Sequence, residues 1–285
     1  MKKQVLCKCG SGVFKDDCCI ENVRVRSFPG VNASERMELL AKIKISSEFG
    51  MRYRGLFEFY GDDLIKYKLG APNSLARNEF LTVLAKYFTD YLEDDCPTSW
   101  KECHSQFWEE FLFIFYPFHM KITREEREVE KFSNELKKFL RWLDRRYRSS
   151  FYKLIEKYLQ ESGNDLKKCE QMLNRLYLHL FPRMHHKDWN PEKAIYKNSL
   201  QLEECIETKT ILFEVKRING PIVIATSLDS HITYHLKGMP YKSITSGLIM
   251  CGMIGRKKGD WFWIWNFPET VFPQRAKQFF DYVRF

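Results

Sequence analysis

The sequence predicts an α+β chain in three parts: a short metal-stabilised finger, a central helical bundle, and a small C-terminal β-barrel-like or strongly bent sheet. Three observations carry this. Cys7, Cys9, Cys18 and Cys19 crowd a first segment too short to bury a core of its own. From residue 32 the apolar residues recur at helical spacing. After residue 199 the period falls to two, and glycines punctuate short apolar runs. The expected organisation is a finger over residues 1–22, a helical domain over 32–198, and a mainly β domain with a terminal helix over 199–285.

Taken in order, Ser27, Pro29 and Gly30 mark a linker. Asn32 with Glu35 forms a capping box that opens a helix through Met37, Leu40, Ala41, Ile45 and Phe49, which Gly50 can end. A second helix is expected from Ser74, with Phe80, Leu84, Tyr87, Phe88 and Tyr91 on one side. The run from Phe111 to Phe118 reads as buried core. Thr123 with Glu126 spells another box, ahead of Val129, Phe132, Leu136, Phe139, Leu140, Leu143 and Tyr147. Two further helices are expected, one from Phe151 to about Gly163 and one from Leu166 to Leu180, stopped before Pro182. Asn190-Pro191 suggests a short helix with proline in its first position.

Ile211, Phe213 and Val215 then alternate with charged neighbours, Asn219-Gly220 offers a hairpin turn, and residues 222–225 answer as the partner strand. Residues 232–236, 248–254 and 261–267 are further strand candidates, and a terminal helix is expected over 274–283.

Composition narrows the class. With 44% hydrophobic and 15% aromatic residues the chain has the material for a folded core, far from the polar composition of disordered segments. The longest apolar run falls well short of the roughly 20 residues that span a bilayer, so no membrane span is expected. Met-Lys-Lys followed only by Val5 and Leu6 supplies no secretion signal, which with nine cysteines points to a reducing, cytoplasmic setting. The net charge of +9 favours polyanionic partners, although a solvated lysine-rich surface gives the same balance.

The cysteine segment is the most specific feature. Two thiols one residue apart are followed, after eight intervening residues, by an adjacent pair, with Gly10 and Gly12 between them to let the chain reverse. Four thiolates satisfy the tetrahedral preference of zinc and leave no open position, so one structural Zn2+ is expected on Cys7, Cys9, Cys18 and Cys19. The segment Cys7-Lys-Cys-Gly-Ser-Gly with its closing Cys18-Cys19 resembles the SEC-C motif, the zinc-binding tail of the SecA translocation ATPase. The resemblance covers residues 7–19. It departs from the usual pattern at Lys8, where proline is common, and at Asp16 and Asp17, where lysines are common. It implies a protein or ribosome contact made by the finger. No Walker A loop occurs, so the chain is not a SecA motor.

Weaker candidates follow. Trp261, Trp263 and Trp265 alternate with Phe262 and Ile264 beside the basic loop Arg256-Lys257-Lys258, the combination that single-stranded nucleic acid uses for stacking and phosphate contact. Burial of the same tryptophans in a core would serve packing alone. Arg141, Arg145, Arg146 and Arg148 cluster at the end of a helix, where cations also complement the dipole. His179, His185, His186 and Asp188 are close in sequence, yet Pro182 separates them and their spacing matches no metal motif, so a surface connection is expected.

The leading expectation is a cytoplasmic accessory protein whose zinc finger makes a protein or ribosome contact. An RNA- or DNA-binding protein using Arg256, Lys257, Lys258, Trp261, Trp263 and Trp265 is the first alternative. An enzyme with a pocket between the helical and β domains is the second. No nucleophile elbow or dinucleotide fingerprint is present to nominate catalytic residues.

Overall fold

In the computed structural model, which describes residues 32–280, the first helix starts at the box that the sequence spells. Asn32 Oδ1 accepts the Glu35 N–H at 2.9 Å, Glu35 Oε2 accepts the Asn32 N–H at 3.0 Å, and α1 runs over Ala33–Ser47. It crosses the boundary between two units of the chain, one ending at Lys42 and one beginning at Ile43. All the elements that follow belong to the second unit. The cysteines of the expected finger lie outside the described residues.

Helix α2 (Gly61–Leu69) has no counterpart in the sequence reading. It is short, and its buried set includes Asp63 and Lys68, polar residues that blur the apolar period. Asp63 is satisfied by the Trp100 indole N–H at 2.8 Å, by Arg146 Nε at 2.8 Å and by the Tyr147 hydroxyl. Lys68 is held by the Pro72 carbonyl and by Glu48 at 3.1 Å. Helix α3 (Leu75–Lys86) is capped by Ser74 Oγ, which accepts the Arg77 N–H at 3.2 Å, and continues as a π-helical turn over Tyr87–Tyr91. A second such turn, Phe111–Phe115, extends α4 (Ser105–Glu110) and is buried throughout, as the apolar run requires.

Two expected boundaries move. Helix α5 (Glu128–Tyr147) begins beyond the expected Thr123 cap. Glu126 sits at φ 52°, outside helical geometry, and the Thr123 hydroxyl makes no hydrogen bond. The first N–H groups of α5 bond instead to Glu170, from a helix far along the chain: Glu128 N–H at 2.7 Å and Val129 N–H at 3.2 Å. The two helices expected around Gly163 are one, α6 (Phe151–Leu180). A mid-helix glycine costs about 1 kcal/mol relative to alanine, and the packing of α6 along α5 outweighs it. Helix α7 (Pro191–Glu203) is capped by Asn190 Oδ1, which accepts the Lys193 N–H at 2.9 Å.

Five strands follow: β1 (Glu207–Asn219), β2 (Ile222–Ser227), β3 (Thr233–Lys237), β4 (Ile249–Arg256) and β5 (Trp263–Phe272). The expected Asn219-Gly220 turn joins β1 to β2, with Asn219 paired to Ile222 and Gly220 at φ 55°. The sheet is mixed, in the order β1-β2-β3-β5-β4 with β4 returning to β1. Its closure is irregular, since β3 meets β5 in parallel over only Leu236↔Trp263 and Lys237↔Ile264. Register shifts in β1 between Val215 and Arg217, and in β4 on either side of Gly252-Met253, supply the bend. The expected terminal helix is, among the described residues, a 3₁₀ turn over Gln274–Phe279.

Helices and sheet share a large apolar core, which runs from Phe80, Trp108 and Phe139 to Phe213, Leu236 and Trp265, and a smaller cluster joins Ile114 to Leu212, Ile249 and Phe272. Tyr177 of α6 meets Phe267 of β5 edge to face at 5.5 Å, and the Asn198 amide of α7 donates to Asn266 Oδ1 at 2.8 Å. Arg275, just past β5, bridges Glu109 of α4 and Glu161 of α6, the latter at 2.6 Å.

Candidate nucleic-acid interface

The aromatic strand and the basic loop meet at one end of the sheet. β1 begins there, β4 ends there, β5 begins there, and the two-residue parallel step brings the end of β3 alongside. Lys257 to Asp260 turn the chain between β4 and β5, with the Asp260 N–H on the Lys257 carbonyl at 3.2 Å and Gly259 at φ 83°.

The expected three-tryptophan platform does not form as such. Strand alternation turns Trp263 and Trp265 to the same face, and that face is the interior. Trp265 is buried against Phe213, and Trp263 is buried against Tyr234 at 5.4 Å. Neither ring is open to a base. Trp261 precedes the strand and is 90% exposed. Next to it Phe262 is half-buried, with Lys237 Nζ 3.6 Å from its ring centroid and His235 at 6.4 Å. The open aromatic surface is therefore Trp261 with Phe262.

The basic loop is partly engaged. Arg256 pairs with Glu207 at 2.7 Å and lies 5.1 Å from the Trp263 ring centroid. Lys209 shares Glu207 at 2.8 Å and lies 5.5 Å from the same ring. Lys257 pairs with Glu204. Lys258 is exposed at the tip of the turn. The pair with Lys209, then that with Arg256, holds the Glu207 carboxyl below the usual glutamate range. Exposed pairs of this kind are screened by solvent and contribute little, so a phosphate can compete for the cations. The rim thus offers Lys209, Lys237, Arg256 and Lys258 around an exposed indole.

Sequence reading found Arg256, Lys258 and Trp261 but missed Lys209 and Lys237. Both lie on other strands, and only the pairing of β1 with β4 and of β3 with β5 brings them to this edge.

The other sequence candidates separate. His179 Nε2 meets the Gly238 carbonyl at 3.1 Å, Asp188 pairs with Arg183, and His186 and Asp188 are exposed. Among the described residues no group of three or more His, Cys, Asp or Glu side chains is placed to hold a metal ion. The four-thiol set of Cys7, Cys9, Cys18 and Cys19 has the donor chemistry zinc prefers, and lies outside those residues. Buried Cys103, Cys169 and Cys251 are poor ligands, because burial pushes their thiols well up and keeps them protonated. Between α4 and the 3₁₀ turn that follows β5, a cavity of about 530 Å³ is lined by Ser105, Gln106, Glu109, Gln278 and Phe279. Its one carboxylate, Glu109, is engaged by Arg275 and by Gln278 at 2.9 Å. Among the described residues no helix is long and apolar enough to cross a membrane.

No protein-family model matches the chain, and comparison with curated proteins and with solved structures gives no match.

Proposed function

We propose that the chain is a binding protein, an accessory factor that contacts single-stranded RNA through the rim of its sheet. The observation that carries the reading is Trp261, a large indole left 90% exposed at the end of the sheet that also carries Lys209, Lys237, Arg256 and Lys258. Exposure of so large an apolar ring is costly for a free surface and useful for a base, because stacking is indifferent to base identity. The surrounding cations suit the phosphates of the same strand. The finger expected at Cys7, Cys9, Cys18 and Cys19 would hold one zinc ion and make the second contact, with a protein or with the ribosome, as its SEC-C resemblance implies. Zinc there would supply folding free energy, of order 10 kcal/mol for a segment this short, and no chemistry.

The test is a titration of fluorescently labelled single-stranded RNA at low and moderate salt. Binding that weakens as salt rises is expected from phosphate contacts. Absence of binding at low salt would remove the reading.

A further inference from the structure

Of the basic cluster that the sequence places at the end of α5, Arg141 and Arg145 face a second groove, remote in sequence from the sheet rim, while Arg146 pairs with Asp63 at 2.8 Å. Lys138, Arg141 and Arg145 lie three and four residues apart, hence on one face of α5. Lys66 of α2 and Arg77 of α3 face them across a cavity of about 360 Å³, whose remaining lining is Tyr67, Gly70 and Trp142. No carboxylate lines it. Glu135, at its edge, takes Lys138 at 2.6 Å and reaches Arg77 only at 4.0 Å. Arg141 stacks on Tyr152 and donates to its hydroxyl, and Arg145 donates to the Arg141 carbonyl at 3.2 Å. Among the described residues no carboxylate contacts Lys66, Arg141 or Arg145.

The floor of the groove is fixed by contacts within the fold. The Arg77 guanidinium lies 4.0 Å from the Tyr67 ring centroid and is fixed by donation to the Tyr67 carbonyl at 2.7 Å. Tyr67 is 3% exposed, yet its hydroxyl has no hydrogen-bond partner, and neither has Arg77 Nε. Burial pushes the Tyr67 phenol up to about 12, so it remains a neutral O–H donor. Glu135 Oε2, 4.0 Å from Arg77 Nε, is likewise unpartnered, so the floor is held internally, and it is the five cations lining the groove above it that form a surface complementary to an anion rich in acceptor oxygens.

We propose that the groove between α2, α3 and α5 binds a compact polyphosphate, either free or carried by a nucleotide. One negative charge would leave most of the five cations unbalanced, which disfavours a simple carboxylate. The cations converge on one cavity of nucleotide size, which favours a compact ligand over an extended strand. The site is independent of the RNA reading, since it shares no residue with the sheet rim.

The test is calorimetric titration of the full chain with pyrophosphate, with adenosine triphosphate, and with a single-stranded oligoribonucleotide lacking a terminal phosphate. Saturable binding of pyrophosphate, one per chain, is expected. Arg141→Glu and Arg145→Glu, both at exposed positions, should each weaken it by about tenfold or more, while Lys153→Glu on the outside of α6 and Trp261→Ala leave it unchanged. Lys66→Glu gives the same reading from α2 if an α5 variant folds poorly. Equal affinity for pyrophosphate and the nucleotide assigns free polyphosphate, and tighter nucleotide binding assigns a base contact as well. No binding of either at low salt, equal binding by the charge-reversed variants, or binding of the oligoribonucleotide alone would overturn the proposal. Loss of RNA binding in Trp261→Ala with pyrophosphate binding intact would show that the two sites stand or fall separately.

Discussion

The carboxylate of Glu170 caps the backbone of Glu128, accepting its N–H at 2.7 Å and that of Val129 at 3.2 Å. Helix α5 is thereby held at its N-terminus by the antiparallel neighbour it packs against, so capping and packing are one interaction. Glu170→Ala leaves two buried donors without acceptors, and a loss of about 1–3 kcal/mol in unfolding free energy is expected by urea denaturation. Glu170→Gln keeps one acceptor and should lose less.

The same residue should give a recognisable pH dependence. Burial pushes the Glu170 carboxyl up, against the opposing pull of the two N–H groups. A carboxyl whose pKa is higher folded than unfolded binds its proton more tightly in the folded chain. Its contribution is therefore fully present below the ordinary glutamate pKa and lost as pH rises through the folded value. Wild type should gain stability relative to Glu170→Gln as pH is lowered through the folded-state value, which lies above the ordinary glutamate range. A difference that stays flat or reverses would contradict this.

Asp63 gathers Trp100, Arg146 and Tyr147 onto one buried carboxylate and ties α2 to the C-terminal end of α5. Asp63→Ala should lower stability by about 3 kcal/mol, since the buried Trp100 indole and the half-buried Tyr147 hydroxyl lose their acceptor and Arg146 its counter-ion. The loss is read from the denaturation midpoint, with a shift in tryptophan emission as the Trp100 indole loses its partner.

Gly252 of β4 lies under the Trp265 ring. A Cβ there would come 2.2 Å from Trp265 and 2.5 Å from the Phe267 carbonyl, a backbone atom that cannot swing aside. Gly252→Ala should therefore cost about 1–3 kcal/mol or more through overpacking. Trp265→Ala should cost about 3–5 kcal/mol by leaving a cavity. Thermal unfolding of the two variants and of the exposed-site Trp261→Ala, which should unfold like wild type, tests the assignment of interior and exterior rings.

The finger makes its own prediction. Purified from zinc-replete medium, the chain should carry one equivalent of zinc by elemental analysis, and Cys18→Ser should reduce it. Unchanged metal content in that variant would contradict the ligand assignment.

Much of this was legible in the sequence, and the rest was hidden for identifiable reasons. Caps formed by neighbours, as at Asn32, Ser74 and Asn190, can be read directly because both partners are three residues apart. The α5 cap cannot, because its acceptor lies on α6; Thr123 and Glu126 match the motif while the backbone takes another course. Gly163 suggests a break that packing overrides. The strand alternation around Trp263 was visible, but not which face was inward, since Trp261 lies just outside the strand and the tryptophans share a parity. Lys209 and Lys237 at the rim, and Lys66 and Arg77 in the α5 groove, join their sites only through tertiary pairing.

The most direct measurement on the proposed RNA contact is intrinsic tryptophan emission during titration with single-stranded RNA. Trp261 is the most exposed of the seven tryptophans, with Trp142 and Trp189 half-buried and Trp100, Trp108, Trp263 and Trp265 buried, so stacking should quench the longest-wavelength part of the spectrum most. The account predicts that this quench saturates with binding, vanishes in Trp261→Ala, and is accompanied there by an affinity loss of about 1–3 kcal/mol. RNA binding that leaves the emission untouched, or that Trp261→Ala does not weaken, would contradict it.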